Sequence, residues 1–237
     1  MSLLELHGVT KRFGGLTANQ DVSFTVDAGQ IVGLIGPNGA GKTTAFNCVA
    51  GFYAPTSGRI ELDGKTISGL TPEACARAGV GRTFQVARTF TSMTACENVM
   101  AAVLLHERRV GAARAEALKL LAFVNLDHFA DKPAGSMTIS EQRRLAVARA
   151  LATRPKLLLM DEVMAGLNPS EVREMVKVVL AIRERGIACL IVEHVLEGIM
   201  PIADKIVVLD RGIKIADGTP TEVSRNPAVI SAYLGDA

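Results

Sequence analysis

The chain has 237 residues, of which 49% are hydrophobic, and it balances 26 basic against 24 acidic side chains. That length can bury a sizeable core in one large domain, and that hydrophobic share excludes a disordered chain. Balanced charge without a basic run, and aromatics at only 4%, argue against a nucleic-acid partner, which needs cations along the phosphates and rings to stack on.

The longest uninterrupted apolar run, Val99–Leu105, has seven residues, against the roughly 20 needed to cross a bilayer. The opening Met1-Ser2-Leu3-Leu4-Glu5 has no basic region leading into an apolar stretch, so no signal peptide is expected. Cys48, Cys75, Cys96 and Cys189 are scattered and form no CxxC, which reads as buried reduced thiols rather than disulfides or a zinc site.

In chain order, Ser2–Val9, Asp21–Val26 and Arg59–Leu62 alternate apolar and polar residues, with Asp63-Gly64 as a turn signal. These predict an antiparallel strand group near the N-terminus. Ile31–Ile35, Leu157–Met160, Ala188–Val192 and Ile206–Leu209 are short continuous apolar runs, the pattern of strands buried on both faces. Helical periodicity falls between them, at Lys42–Ala50, Glu141–Ala152, Ser170–Arg185 and Thr221–Ser224. Strands alternating with helices predict a parallel sheet covered by helices. Between Val86 and Gly135 the strand pattern vanishes. Glu97–His106 and Ala112–Phe123 read as helices of an insertion within the α/β domain. Asn168-Pro169-Ser170-Glu171 and Thr219-Pro220-Thr221-Glu222 each offer a capping residue, Pro at the first helical position and Glu at the third.

Two motifs carry the chemistry. Gly36-Pro37-Asn38-Gly39-Ala40-Gly41-Lys42-Thr43-Thr44 fits G-x-x-x-x-G-K-[ST] and lies between a predicted strand and a predicted helix. Glycines there let backbone N–H groups converge on phosphate oxygens, and the helix start adds partial positive charge. Lys42 is placed to reach the β- and γ-phosphates, and the Thr43 hydroxyl to ligate Mg²⁺. The second motif is Leu157–Glu162, an apolar strand ending in two acids. Ligands of such sheets bind beyond the carboxyl ends of strands. Asp161 is therefore expected to hold Mg²⁺, and Glu162 to orient or deprotonate an attacking water.

Together these motifs resemble the ATP-binding cassette (ABC) ATPases of membrane transporters, in order along the whole chain. The resemblance implies an α/β P-loop NTPase fold: a parallel core sheet, an antiparallel β subdomain and an inserted helical subdomain. It implies one nucleotide-binding domain over residues 1–237, with the helical part at about 86–154. Lys11-Arg12-Phe13-Gly14-Gly15 looks like the adenine-stacking loop, with Phe13 as the ring. Gln85 in Arg82-Thr83-Phe84-Gln85 looks like the glutamine that touches Mg²⁺ and water. Ala165-Gly166-Leu167-Asn168 resembles the loop that crosses to the other subunit. Leu190-Ile191-Val192-Glu193-His194 resembles the switch strand, with His194 sensing the γ-phosphate.

Several of these segments, with the ending Ala232-Tyr233-Leu234-Gly235, are typical of the ATPases of branched-chain amino acid importers. The ATPase of the lipopolysaccharide exporter shares much of this style. The resemblance implies ATP and Mg²⁺ as cofactors, membrane permease subunits and a second ABC ATPase subunit as partners, and indirect work with an external solute-binding protein. It implies a peripheral place on the cytoplasmic face of the bacterial inner membrane. Alternative readings are a lipid or lipopolysaccharide export ATPase, and a regulatory nucleotide-binding subunit weak in hydrolysis.

The sequence departs from the family at its signature. Where Leu-Ser-Gly-Gly-Gln is usual, this chain has Met137-Thr138-Ile139-Ser140-Glu141. The signature normally presents backbone N–H groups to the γ-phosphate on the facing subunit, so Thr138, Ser140 and Glu141 are the corresponding nucleotide contacts. Ser140 adds a Cβ where glycine permits close approach, and Glu141 adds negative charge. Thr138-x-x-Glu141 is also a capping box that starts a helix. A heterodimer is therefore favoured over a homodimer. Val163 stands where Pro usually follows the carboxylate pair, which removes a rigid turn element but no catalytic group.

Overall fold

The computed structural model describes residues 2–84 and 89–234. Alternating burial organises its first layer. β1 (Ser2–Phe13) and β2 (Leu16–Asp27) pair antiparallel, and β1 also pairs with β4 (Ser57–Leu62), which carries the short β5 (Lys65–Thr66). The resulting four-stranded sheet has the order β2-β1-β4-β5.

The second sheet holds the fully buried runs. β3 (Ile31–Ile35), β7 (Leu157–Asp161) and β8 (Ala188–Val192) are buried at every position. With β6 (Val80–Arg82), β9 (Lys205–Asp210) and β10 (Ile213–Gly218) they form the order β10-β9-β3-β8-β7-β6. All neighbours are parallel except the β9–β10 hairpin at the edge.

Side chains alternate across a strand, so each buried strand feeds two cores. Val32, Leu34, Leu157, Leu159, Leu190 and Val192 face a core shared with the antiparallel sheet and α1 (Lys42–Val49). Ile31, Ile35, Leu158, Met160, Cys189 and Ile191 face the other core. That core includes α6 (Pro169–Glu184) and three helices between β6 and β7: α3 (Ala95–Val103), α4 (Val110–Phe123) and α5 (Ile139–Leu151). The remaining helices are α2 (Pro72–Ala78), α7 (Leu196–Ile199), α8 (Pro220–Ser224) and α9 (Pro227–Leu234).

Helix starts follow the capping chemistry. Thr94, Thr138, Asn168 and Thr219 each form a reciprocal capping box with the Glu three residues on. The segment read as a helix over Glu97–His106 is α3, which begins at Thr94's box and ends at Val103. Several short or edge elements are not among the predicted ones. β6 has three residues, one of them Gly81, and α2 has seven. β10 lies at an edge with no buried residue, so it shows no apolar pattern. α9 is apolar over most of its length, with Ser231 the exception, rather than amphipathic. No described helix is long and apolar enough to cross a membrane.

Candidate nucleotide site

The phosphate loop runs from the end of β3 into α1, as the strand–loop–helix context requires. Its backbone depends on glycine. Gly36 has φ +148°, and a Cβ there would lie 2.0 Å from the Leu209 carbonyl oxygen. Gly41, the N-cap of α1, has φ +93° and would press on the Ala18 carbonyl at 2.4 Å. The Lys42 ammonium donates to the carbonyls of Gly36 (2.6 Å) and Pro37 (2.9 Å). Burial lowers its pKa and the charge of Glu162 opposes that shift.

A cavity of about 520 Å³ opens over this loop. Asn38, Gly39, Ala40, Gly41, Lys42, Thr43 and Thr44 line it together with Phe13 and Glu162. Phe13 is 41% exposed and meets Tyr53 edge to face at 5.1 Å, with the Lys11 ammonium 4.9 Å from the Phe13 ring. An aromatic ring, a nest of backbone N–H groups and a lysine thus share one cavity, which suits a base, phosphates and their charge.

The acids stand at the end of β7. Asp161 is buried, its N–H donates to the Thr83 hydroxyl at 3.3 Å, and Arg82 Nη2 lies 3.6 Å from its Oδ2. Burial raises the Asp161 pKa, Arg82 lowers it, and Glu162 raises it further. Arg82 is itself enclosed by the rings of Phe46, Phe52 and Phe84 at 4.7–5.1 Å and donates to Asn47 Oδ1 at 2.7 Å. Glu162 has left-handed backbone, φ +49°, and its Oε1 is 3.6 Å from His194 Nδ1. Glu162, His194 and the phosphate loop therefore converge.

Other expected site residues lie apart. Thr138, Ser140 and Glu141 open α5 and do not line the cavity. The Thr138 N–H donates to the Glu141 carboxylate at 2.7 Å, and the Glu141 N–H to the Thr138 hydroxyl at 3.3 Å. Ser140 is buried. Gln85 lies outside the described residues, as does Arg88 of the segment around Val86–Thr94, which is expected to grip the membrane subunit.

Sequence reading missed several neighbours. Leu16, Thr17 and Ala18 at the start of β2, and Arg211 and Gly212 in the β9–β10 turn, also line the cavity. Tyr233 of α9 contacts the Gly36 backbone; burial raises the phenol's pKa and that contact opposes it. These residues arrive from distant parts of the chain, and the segment of Tyr233 signals a likeness to a family, not a place in the site.

A strand, a glycine-bound phosphate loop and a helix, with a buried acid at a nearby strand end, define a P-loop nucleotide-binding protein. Residues 19–165 match the family model "ABC transporter", and residues 214–237 the model "Branched-chain amino acid ATP-binding cassette transporter". The chain is 45% identical to BraF, a high-affinity branched-chain amino acid transport ATP-binding protein of Pseudomonas aeruginosa, over 99% of this chain and 98% of that one. It is 41% identical to LivG of Escherichia coli K12, with the same coverage. It is 36% identical to LptB, the lipopolysaccharide export ATP-binding protein of Haemophilus influenzae, over 100% of this chain and 98% of that one. A crystal structure of an ATP-binding cassette of an ABC transporter, in its ADP conformation, superposes with a TM-score of 0.91 at 30% identity, covering 100% of both chains. The chain belongs to the ATP-binding subunits of ABC transporters and is an ATPase of that family.

Proposed function

We propose that this chain hydrolyses ATP to power uptake of branched-chain amino acids or related solutes through separate membrane permease subunits. The observation that carries this is end-to-end identity of 45% to such a transport protein, joined to a C-terminal match to the same group. The permease subunits hold the chain at the cytoplasmic face of the inner membrane, and an external solute-binding protein delivers the solute to them.

Adenine stacks on Phe13, and the triphosphate lies along Gly36–Thr44 with Lys42 at its β- and γ-oxygens. The Thr43 hydroxyl and the Asp161 carboxylate are hard oxygen donors of the kind Mg²⁺ takes, and Gln85 is a third. Mg²⁺, when bound, offsets charge on the transferring phosphoryl group. Glu162 takes the proton of the attacking water. The water oxygen bonds to the γ-phosphorus as the bond to the β-phosphate oxygen breaks, which gives ADP and phosphate. His194, paired with Glu162, senses the γ-phosphate.

The permease docks on the groove between the sheet and the inserted helices. A cavity of about 460 Å³ there is lined by Phe52, Phe84, Phe90, Arg82 and Arg149 among others. The groove's rim is built for a fixed shape. The buried Asn98 amide accepts from the Phe90 N–H at 2.9 Å and donates to the Phe90, Met93 and Thr94 carbonyls. Substitution of Arg88 or Phe90 uncouples transport while ATP binding survives.

ATP binding closes two ATPase subunits face to face, and this chain pairs with a different one. Its signature supports that reading. The capping box already occupies the N–H groups of Thr138 and Glu141, and it sets a carboxylate where a facing γ-phosphate needs donors. The export ATPase remains the second reading, carried by the 36% identity to LptB. Purification with the permease, followed by ATPase assays with leucine, isoleucine or valine through the binding protein, tests the function. Stimulation supports import, and indifference to every such solute overturns it. Robust turnover by this chain alone, unchanged by Ser140→Gly, overturns the heterodimer.

A further inference from the structure

Glu193 is a carboxylate that the hydrolytic scheme does not use. It follows β8, has no solvent exposure, and precedes His194. Its Oε1 accepts the Met164 N–H at 2.7 Å, and its Oε2 the Val195 N–H at 3.5 Å. The first bond spans 29 residues and lands two positions after Glu162.

That landing point is a strained turn. Glu162 holds left-handed backbone, which a residue with a Cβ keeps only when its surroundings fix it. Five hydrogen bonds do so. The Glu162 N–H donates to the Val192 carbonyl at 2.9 Å, and the Ala165 N–H to the Glu162 carbonyl at 3.3 Å. Glu193 takes the Met164 N–H. Arg143, on α5, donates Nη1 to the carbonyls of Val163 (3.3 Å) and Ala165. The fields of Glu193 and Glu162 both act on this guanidinium.

We propose that Glu193 and Arg143 are positioning residues that clamp the 162–165 turn, and so aim the Glu162 carboxylate at its water. The proposal rests on Glu162 being the hydrolytic carboxylate. A carboxylate takes the turn's N–H and a guanidinium takes its C=O groups, so the turn is held through both of its hydrogen-bonding faces. The arrangement also ties the catalytic turn to the helix that begins at the signature.

The test uses the assembled transporter, with permease and second ATPase, and measures kcat beside ATP affinity from a fluorescent nucleotide. Glu162→Gln sets the level at which this chain's own site is silent. Glu193→Ala is expected to lower kcat above that level at least tenfold, with ATP affinity within twofold. Glu193→Gln keeps an acceptor for the Met164 N–H and is expected to stay within threefold of the parent. Arg143→Ala, at a half-buried position, is expected to lower kcat several-fold with the same unchanged affinity, and it decides the matter if Glu193→Ala does not fold. Parental kcat in both alanine variants overturns the clamp, as does equal impairment by Gln and Ala at 193, or an equal fall in kcat and affinity. Full activity of Glu162→Gln overturns the underlying assignment instead, and the clamp with it.

Discussion

Phe13→Ala removes the one aromatic side chain that lines the nucleotide cavity among the described residues. A base stacked on an aromatic ring contributes about 1–3 kcal/mol, which corresponds to a loss of about 5- to 150-fold in affinity. The cost to the fold is smaller. Phe13 is 41% exposed, and its edge-to-face pair with Tyr53 and its exposed contact with the Lys11 ammonium together contribute about 1 kcal/mol. In a chain of this size that lowers Tm by about 2–4 °C. Titration with ATP should therefore show affinity falling about fivefold or more while the protein stays folded at 25 °C. Inorganic tripolyphosphate provides the internal comparison, since Lys42 and the loop amides bind it without a base. Its affinity should be the same for both proteins. An ATP affinity within twofold of the parent would refute base stacking on Phe13, and so would a tripolyphosphate affinity that falls as far as that for ATP.

Two further predictions concern the scaffold. Gly36→Ala forces a Cβ to 2.0 Å from the Leu209 carbonyl at φ +148°, whereas Gly39→Ala meets nothing within 4 Å at φ +79°. Backbone strain and overpacking of about 1–3 kcal/mol each make Gly36→Ala the more damaging, by several degrees of Tm in a thermal melt. Equal melting of the two variants would contradict the clash. Burial pushes the Cys48 thiol up to about 11 and the Cys189 thiol up to about 12. Unfolded thiols lose their protons near pH 8.5 while these keep theirs, so each contributes fully below that pH and less as pH climbs toward 11 or 12. Urea titrations should show stability falling by about 1.4 kcal/mol per pH unit per thiol above pH 9, and native protein at pH 8 should resist a thiol reagent.

What the sequence made legible is what one contiguous segment encodes. The phosphate loop, the Asp161-Glu162 pair and the capping boxes each fit within ten residues, and each has the expected local geometry. The site's supports are different. Arg82 reaches Asp161 across 79 positions, Glu193 reaches Met164 across 29, and Tyr53 meets Phe13 across 40. Such contacts depend on strand order, which no local pattern states. Arg82 and Glu193 stood inside recognised motifs, yet only the sheet reveals what they hold. The edge strand β10 escaped for a related reason, since a strand that buries nothing leaves no hydrophobic period to read.

The parallel pairing of β6 and β7 has a mechanical consequence. Chain that leaves β6 must travel back along the sheet before it can enter β7, and α5 makes that return. It is a rod of 13 residues, about 20 Å long. Thr138 and Glu141 stand at one end; at the other, a linker of only five residues, 152–156, joins it to the strand that ends in Asp161 and Glu162. A linker that short has little slack to absorb a push. The N-terminal end of α5 and the strand that leads to the carboxylates are thus joined by one helix and one short linker, so a displacement at Thr138 has few residues in which to dissipate before it reaches β7.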